Sequence, residues 1–231
     1  MKKIEIKEFG GPEVLEIKNV DIGKPGHNEV LVKNLSIGIN YIDTYHRSGL
    51  YPIPLPSGIG LEACSIIEEV GSEVKLFKVG DRVTRASMPI GTYSEKQIIP
   101  EDKLVKVPDN ISDEVASCIT LKGITAEYLL HRTYQVKKGD KILYHAAAGA
   151  LGQIFCPWAN ALGAEIIGTV GSDEKIEIAK KNGCHHVINY NEKNFVEEVE
   201  KIVGKNGLDV VYDGVGAKTF EGSIEVLKVR G

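Results

Sequence analysis

The residues best suited to chemistry lie in one run of eight, HAAAGALG, from His145 to Gly152. The run joins an apolar strand-like segment, KILYHA (141–146), to a segment of helical character, ALGQIFCPWANAL (150–162). Strand, glycine turn and helix in that order form a cradle for a pyrophosphate. Gly149 allows a sharp turn, Gly152 lets helix and strand pack closely, and the helix N-terminus offers unpaired N–H groups at the positive end of its dipole. The spacing is A-x-x-G-x-x-G and not G-x-G-x-x-G, so taken alone it also fits a plain glycine turn. A second group of residues follows the next strand, which ends Thr169-Val170-Gly171-Ser172 with no acid at its tip. Sites for the unphosphorylated dinucleotide usually place Asp or Glu there, on the ribose hydroxyls. Here Lys175 could bring an ammonium to a 2′-phosphate and Tyr190 a hydroxyl, which favours NADPH. Asp173 and Glu174 weigh against a phosphate, although both also suit a helix first turn. The plain alternative is a solvated lysine and a strand-end tyrosine.

These residues depend on an alternating α/β segment. From residue 141 the chain reads strand (141–146), helix (150–162), strand (164–170), helix (172–183), strand (186–190), helix (194–204) and strand (208–214). That order predicts a parallel sheet covered on both faces. The earlier part is β-rich. KIEIKEF (3–9), VLEIKNV (14–20) and EVLVKNLSIGI (29–39) are separated by Gly/Pro turns, and further short strands are expected at 63–70, 81–86, 92–99 and 104–107. Between the two parts, Ser112 is placed to cap a helix over 113–118, and TAEYLLHRTY (125–134) has helical spacing. The resulting division is 1–122 and 123–231.

Composition excludes several classes. Hydrophobic residues make up 42% and charged residues 26%, as in ordinary globular chains, and the net charge of −4 comes without a basic stripe, so nucleic acid is not expected. The charged N-terminus lacks a signal-peptide core, and no apolar run nears the roughly 18 residues of a membrane span, so a cytoplasmic location is expected. Cys64, Cys118, Cys156 and Cys184 form no C-x-x-C and are expected to be small buried hydrophobes, not disulfide partners.

Seven segments carry a family resemblance: GINYIDTYHRSGLYP (38–52), VGDRV (79–83), LKGITAEYLL (121–130), HAAAGALGQ (145–153), GTVGS (168–172), VINY (187–190) and VYDGVG (211–216). In this order they resemble the zinc-independent quinone oxidoreductases, the zeta-crystallin group of the medium-chain dehydrogenases. The resemblance implies a GroES-like β-rich domain followed by a Rossmann domain, a doubly wound parallel sheet, with NADPH in the cleft between them and a quinone or enone as acceptor. It implies that Asn40, Tyr45 and Tyr51 line the nicotinamide and quinone pocket and that Thr125 lies near the nicotinamide. Gly149, Ala150, Leu151 and Gly152 would form the pyrophosphate turn. Gly171, Ser172, Lys175 and Tyr190 would surround the adenosine phosphate, and Gly214, Val215 and Gly216 would pass beneath the nicotinamide ribose. No metal is expected: Gly60-Leu61-Glu62 stands where zinc-dependent relatives have Gly-His-Glu, no cysteine cluster occurs at 88–105, and His131, His185 and His186 read as surface or loop residues.

Two features set the chain apart from that pattern. Only four Rossmann strands are expected where a complete sheet has six, so the second domain reads as incomplete at its C-terminus, with an exposed fourth-strand edge and doubtful dimerisation. Pro157, inside the helix after the glycine turn, removes an N–H and clashes with the carbonyl of Gln153, at a cost of roughly 3 kcal/mol unless the helix kinks. The alternative function is accordingly an inactive fragment or one half of a split enzyme. An RNA-binding role finds no basic patch to support it.

Overall fold

The period-two stretches of the first 100 residues become antiparallel strands in the computed structural model, which describes all 231 residues. The chain divides into two compact units, Met1–Leu121 and Lys122–Gly231. In the first unit, β1 (Lys2–Ile6), β2 (Glu16–Asn19), β3 (Glu29–Gly38), β4 (Ser57–Gly58), β5 (Glu62–Val70), β6 (Arg82–Ala86), β7 (Lys96–Pro100) and β8 (Val105–Lys106) form two sheets, ordered β2-β1-β4 and β7-β3-β5-β6-β8. Alternate side chains of the larger sheet, Val30, Val32, Ile67, Val83 and Ile99, meet Leu104 in one apolar cluster. The β3–β5 ladder runs on until Gly38 stands opposite Glu62. That register decides where a buried carboxylate meets the segment after β3.

That segment is a helix the periodicity did not suggest, α1 (Tyr41–Ser48). A signal was present: Asn40 followed by Asp43 is an N-cap with an acid at the third helical position. The Asn40 N–H donates to Asp43 Oδ2 (2.9 Å) while the Asp43 N–H donates to the Asn40 carbonyl (3.0 Å). The two helices expected at 113–118 and 125–134 are one, α2 (Asp113–Tyr128), extended by a π-turn over Leu129–Thr133. Its start is as expected, with the Ser112 hydroxyl accepting the Val115 N–H (3.3 Å). Packing of Ala116 against Cys64 and Val107, and of Ala126 and Leu130 in the second unit's core, carries the helix through Gly123. The strand expected at 92–99 begins only at Lys96. The Asn34 amide holds the carbonyls of Thr92 and Ser94 out of the ladder.

The second unit contains β9 (Lys141–Tyr144), α3 (Gly152–Ala161), β10 (Glu165–Val170), α4 (Ile176–Lys181), β11 (His186–Asn189), α5 (Phe195–Val203), β12 (Val210–Tyr212) and α6 (Phe220–Glu225). The strands are parallel in the order β11-β10-β9-β12. Alternation sends Ile142, Tyr144 and Ile166 to one face, with Phe155, Cys156 and Ala159 of α3. Leu143, Ile167 and Ile188 go to the other, with Val199 of α5. Both faces are covered, as the apolar runs required.

Three expectations change here. Pro157 does not interrupt α3, and it and Gln153 are exposed, so the carbonyl that loses its donor faces water. The open side of β12 is not wholly bare, since Leu227 bridges Leu208 just before the strand. Of the cysteines, Cys118 is exposed, while Cys64, Cys156 and Cys184 are buried, the last two in one apolar cluster. No helix is long and apolar enough to cross a membrane.

Candidate dinucleotide and acceptor sites

At the end of β9 the chain turns earlier than expected. Ala146, not Gly149, takes the left-handed conformation (φ 58°), which costs a non-glycine residue roughly 1 kcal/mol. The turn closes through Gly149 N–H to the Ala146 carbonyl (2.8 Å), and the Ala147 N–H ties it to Thr169 of β10 (3.0 Å). Gly149 serves close approach, since a Cβ there would sit 3.0 Å from the Ala146 oxygen. Gly152 is tighter still, with the Ala147 oxygen 2.4 Å from where a Cβ would stand. The amides of Ala150, Leu151 and Gly152 bond to no protein acceptor, and Gly149 and Ala150 are exposed. Three unengaged N–H groups opening a 10-residue helix fit the pyrophosphate of a dinucleotide.

Gly171 lies close under Tyr190, whose hydroxyl would be 3.1 Å from a Cβ on that glycine, and the Asn191 amide holds the Gly171 carbonyl (2.7 Å). Lys175 ends a 3-10 turn, Asp173–Lys175, that precedes α4, so it sits nearer the strand end than a lysine one turn into a helix. Its side chain is exposed and meets no carboxylate. Asp173, the acid that argued against a phosphate, has its Oδ1 engaged by the Asn189 amide (2.8 Å).

The backbone of Val215 and Gly216, just after Gly214, is held by Asp213, which was not among the sequence candidates. Asp213 Oδ1 accepts the N–H groups of Val215 and Gly216 and the Thr219 hydroxyl, each at 2.9 Å. Asp213 Oδ2 accepts the Ser223 hydroxyl (2.8 Å), and Ser223 Oγ lies 3.0 Å from His145 Nε2. Burial raises the Asp213 carboxyl, but the hydrogen bonds from Gly216, Ser223, Thr219 and Val215 outweigh it and hold the group below the usual aspartate range. Thr125, on α2 in the same unit, is half-buried.

In the first unit, α1 and the turn after it gather the aromatic candidates. Tyr45 packs between Tyr41 (5.3 Å, edge-on) and Tyr51 (5.2 Å). Tyr51 is 49% exposed, and neither its hydroxyl nor that of Tyr45 bonds to a protein atom, so both remain able to donate. Asn40 is aimed by Glu62, which is fully buried: its Oε2 accepts from Asn40 Nδ2 (2.8 Å) and its Oε1 from the Leu121 N–H (2.7 Å). Burial pushes the Asp43 carboxyl up, against hydrogen bonds from Asn40 and Tyr93. Tyr41, Asp43 and Glu62 were not among the sequence candidates. Tyr41 and Asp43 were detectable from their i, i+4 and i, i+3 spacing to Tyr45 and Asn40, whereas only the β3–β5 register reveals the partnership of Glu62.

Two domain families match the chain: alcohol dehydrogenase GroES-like domain over residues 26–109 and zinc-binding dehydrogenase over 150–231. A quinone oxidoreductase of Pseudomonas aeruginosa is 48% identical over 231 residues, all of this chain and 71% of the relative. A 2-haloacrylate reductase of a Burkholderia species is 47% identical, over 98% of the chain and 70% of the relative. The structure of Escherichia coli quinone oxidoreductase complexed with NADPH superposes with a TM-score of 0.96 at 49% identity, covering all of this chain and 71% of that one. The chain belongs to the quinone oxidoreductase family.

Leu61 is buried beside Glu62, and its side chain cannot ligate a metal. No three His, Cys, Asp or Glu side chains converge on a point that could hold a metal ion. His131 packs edge-on against Trp158 (5.4 Å), and His185 Nδ1 accepts the Ile166 N–H (3.0 Å). His186 lies against Glu165 (3.3 Å).

Proposed function

We propose that this quinone oxidoreductase-family chain is a zinc-independent enzyme that passes reducing equivalents from NADPH to a quinone or enone. The observation that carries the reading is the row of unengaged amides at Ala150, Leu151 and Gly152 at the head of α3. These would hold the pyrophosphate. Ser172, Lys175 and Tyr190, beside Gly171, would take the 2′-phosphate, Thr125 would approach the nicotinamide, and Gly214, Val215 and Gly216 would lie along its ribose. When bound, NADPH supplies the hydride. The side chains of Asn40, Tyr45 and Tyr51 would then orient the acceptor, and the tyrosine hydroxyls would donate to the oxygen on which charge develops. Their rings exclude water from one face of the acceptor, and solvent can protonate a reduced quinone. The 2-haloacrylate reductase among the relatives supports conjugated double bonds as a second acceptor class. A cytoplasmic location without nucleic-acid or membrane partners belongs to the same proposal, to be checked by fractionation.

Titration of cofactor fluorescence tests the core of this reading. Saturable binding of NADPH in the micromolar range, about −8 kcal/mol, is expected. No binding at millimolar cofactor would leave the alternatives, an inactive fragment or half of a split enzyme, neither of which any observation now favours. Lys175→Ala is expected to weaken NADPH about tenfold and to leave NADH nearly unchanged, because only the former carries the phosphate. Equal losses for both cofactors would remove the 2′-phosphate role. Tyr51→Phe is expected to lower kcat/KM for a simple benzoquinone about threefold to tenfold. Unchanged turnover and KM would show that its hydroxyl is not used.

A further inference from the structure

One buried histidine has no part in the chemistry proposed above, yet it stands at the head of the glycine turn. His145 is 2% exposed, directly after β9, and its N–H donates to the Tyr212 carbonyl at the end of β12 (3.1 Å). Its ring lies edge-on to Phe195 of α5 (5.1 Å) and is engaged at both nitrogens. Nδ1 lies 2.8 Å from the Thr169 hydroxyl of β10, and Nε2 lies 3.0 Å from the Ser223 hydroxyl of α6.

The proton inventory sets the direction of this chain. Ser223 has one hydroxyl proton, and two of its neighbours, Asp213 Oδ2 and the Thr219 carbonyl (each 2.8 Å), can only accept. The contact with His145 must therefore be donated by the ring, from Nε2–H. A neutral ring then has a bare Nδ1, which accepts from Thr169. Burial favours that neutral form and Asp213, 4.0 Å from Nε2, opposes it less strongly. The chain reads Thr169 hydroxyl to His145, His145 to Ser223, Ser223 to Asp213. Asp213 in turn receives the amides of Val215 and Gly216.

We infer that His145 is a positioning residue for the dinucleotide cradle: its neutral, Nε2-protonated ring ties the ends of β9 and β10 to Asp213, and through Asp213 it fixes the backbone of Val215 and Gly216. One side chain thus couples the start of the pyrophosphate turn to the loop assigned to the nicotinamide ribose. The inference rests on the proposed cofactor reading for its consequence in binding, but its structural content can be read without cofactor.

The experiment has three readouts on the purified chain. Amide hydrogen exchange at Val215 and Gly216 is expected to accelerate at least about tenfold in Ser223→Ala and in His145→Phe, which keeps a ring of similar size. His145→Gln, which can still donate to Ser223, is expected to restore most of the protection. Nitrogen NMR of His145 in the unmodified chain at neutral pH is expected to show protonated Nε2 and bare Nδ1. NADPH affinity is expected to fall about tenfold in Ser223→Ala. Exchange within twofold of the parent in both variants, or the opposite tautomer or a doubly protonated ring, would overturn the inference. Should Ser223→Ala not fold, His145→Phe and the tautomer decide. If exchange and tautomer behave as stated but the parent binds no NADPH, the cofactor reading falls and the positioning role stands. If exchange responds but NADPH affinity does not, the loop does not serve the cofactor.

Discussion

Gly152→Ala is expected to weaken NADPH binding by about 30-fold or more, equivalent to roughly 2 kcal/mol, and to destabilise the second unit. The added Cβ would stand 2.4, 2.7 and 2.9 Å from the oxygen, carbonyl carbon and Cα of Ala147. These are backbone atoms, so no side-chain rotation relieves the overlap. Either the first turn of α3 moves away or the Ala146–Gly149 turn opens, and both displace the amides of Ala150 and Leu151. Overpacking of this kind costs roughly 1–3 kcal/mol, which in a unit of this size lowers Tm by several degrees, about 4–8 °C for each kcal/mol. Gly214→Ala is the informative control. A Cβ there meets nothing within 4 Å, so stability should hold while affinity falls if cofactor lies against that backbone. Tight NADPH binding by Gly152→Ala, measured beside its melting curve, would mean that the turn does not hold the pyrophosphate.

Glu62→Ala is expected to cost about 2–4 kcal/mol of stability and to reduce quinone turnover about tenfold. The carboxylate is fully buried and receives the Asn40 amide and the Leu121 N–H. Its removal leaves the buried Asn40 amide and the half-buried Leu121 N–H without that acceptor and releases Asn40 from the orientation it holds at the start of α1. Glu62→Gln, which keeps one acceptor oxygen, is expected to fall between the parent and Glu62→Ala. NADPH affinity should change little, because the amides at the head of α3 involve none of these residues. Urea unfolding together with kcat/KM on a benzoquinone checks both effects. Parent-like turnover in a folded Glu62→Ala chain would separate Asn40 from the acceptor site.

Local pattern determined much of this protein. Strand alternation, apolar runs and glycine punctuation were sufficient for a β-rich part followed by a parallel α/β part. The reason is that a side-chain period of two or 3.6 is imposed by backbone geometry wherever a face is buried. The position of the glycine turn at the head of α3, and the family, were legible for the same reason: both reside in contiguous residues.

The remainder needed the folded chain. Ala146 rather than Gly149 takes the left-handed turn because the Ala147 amide is committed to Thr169, on another strand. Helix α2 passes through Gly123 because packing at Ala116 and Ala126 outweighs a local propensity difference of about 1 kcal/mol. Pro157 is tolerated because its missing donor falls on the solvent side. Glu62 reaches Asn40 across 22 residues, and His145 reaches Ser223 across 78. Such partnerships leave no trace in local spacing, because strand register and helix docking decide which buried polar groups find one another, and a buried polar group must find a partner somewhere.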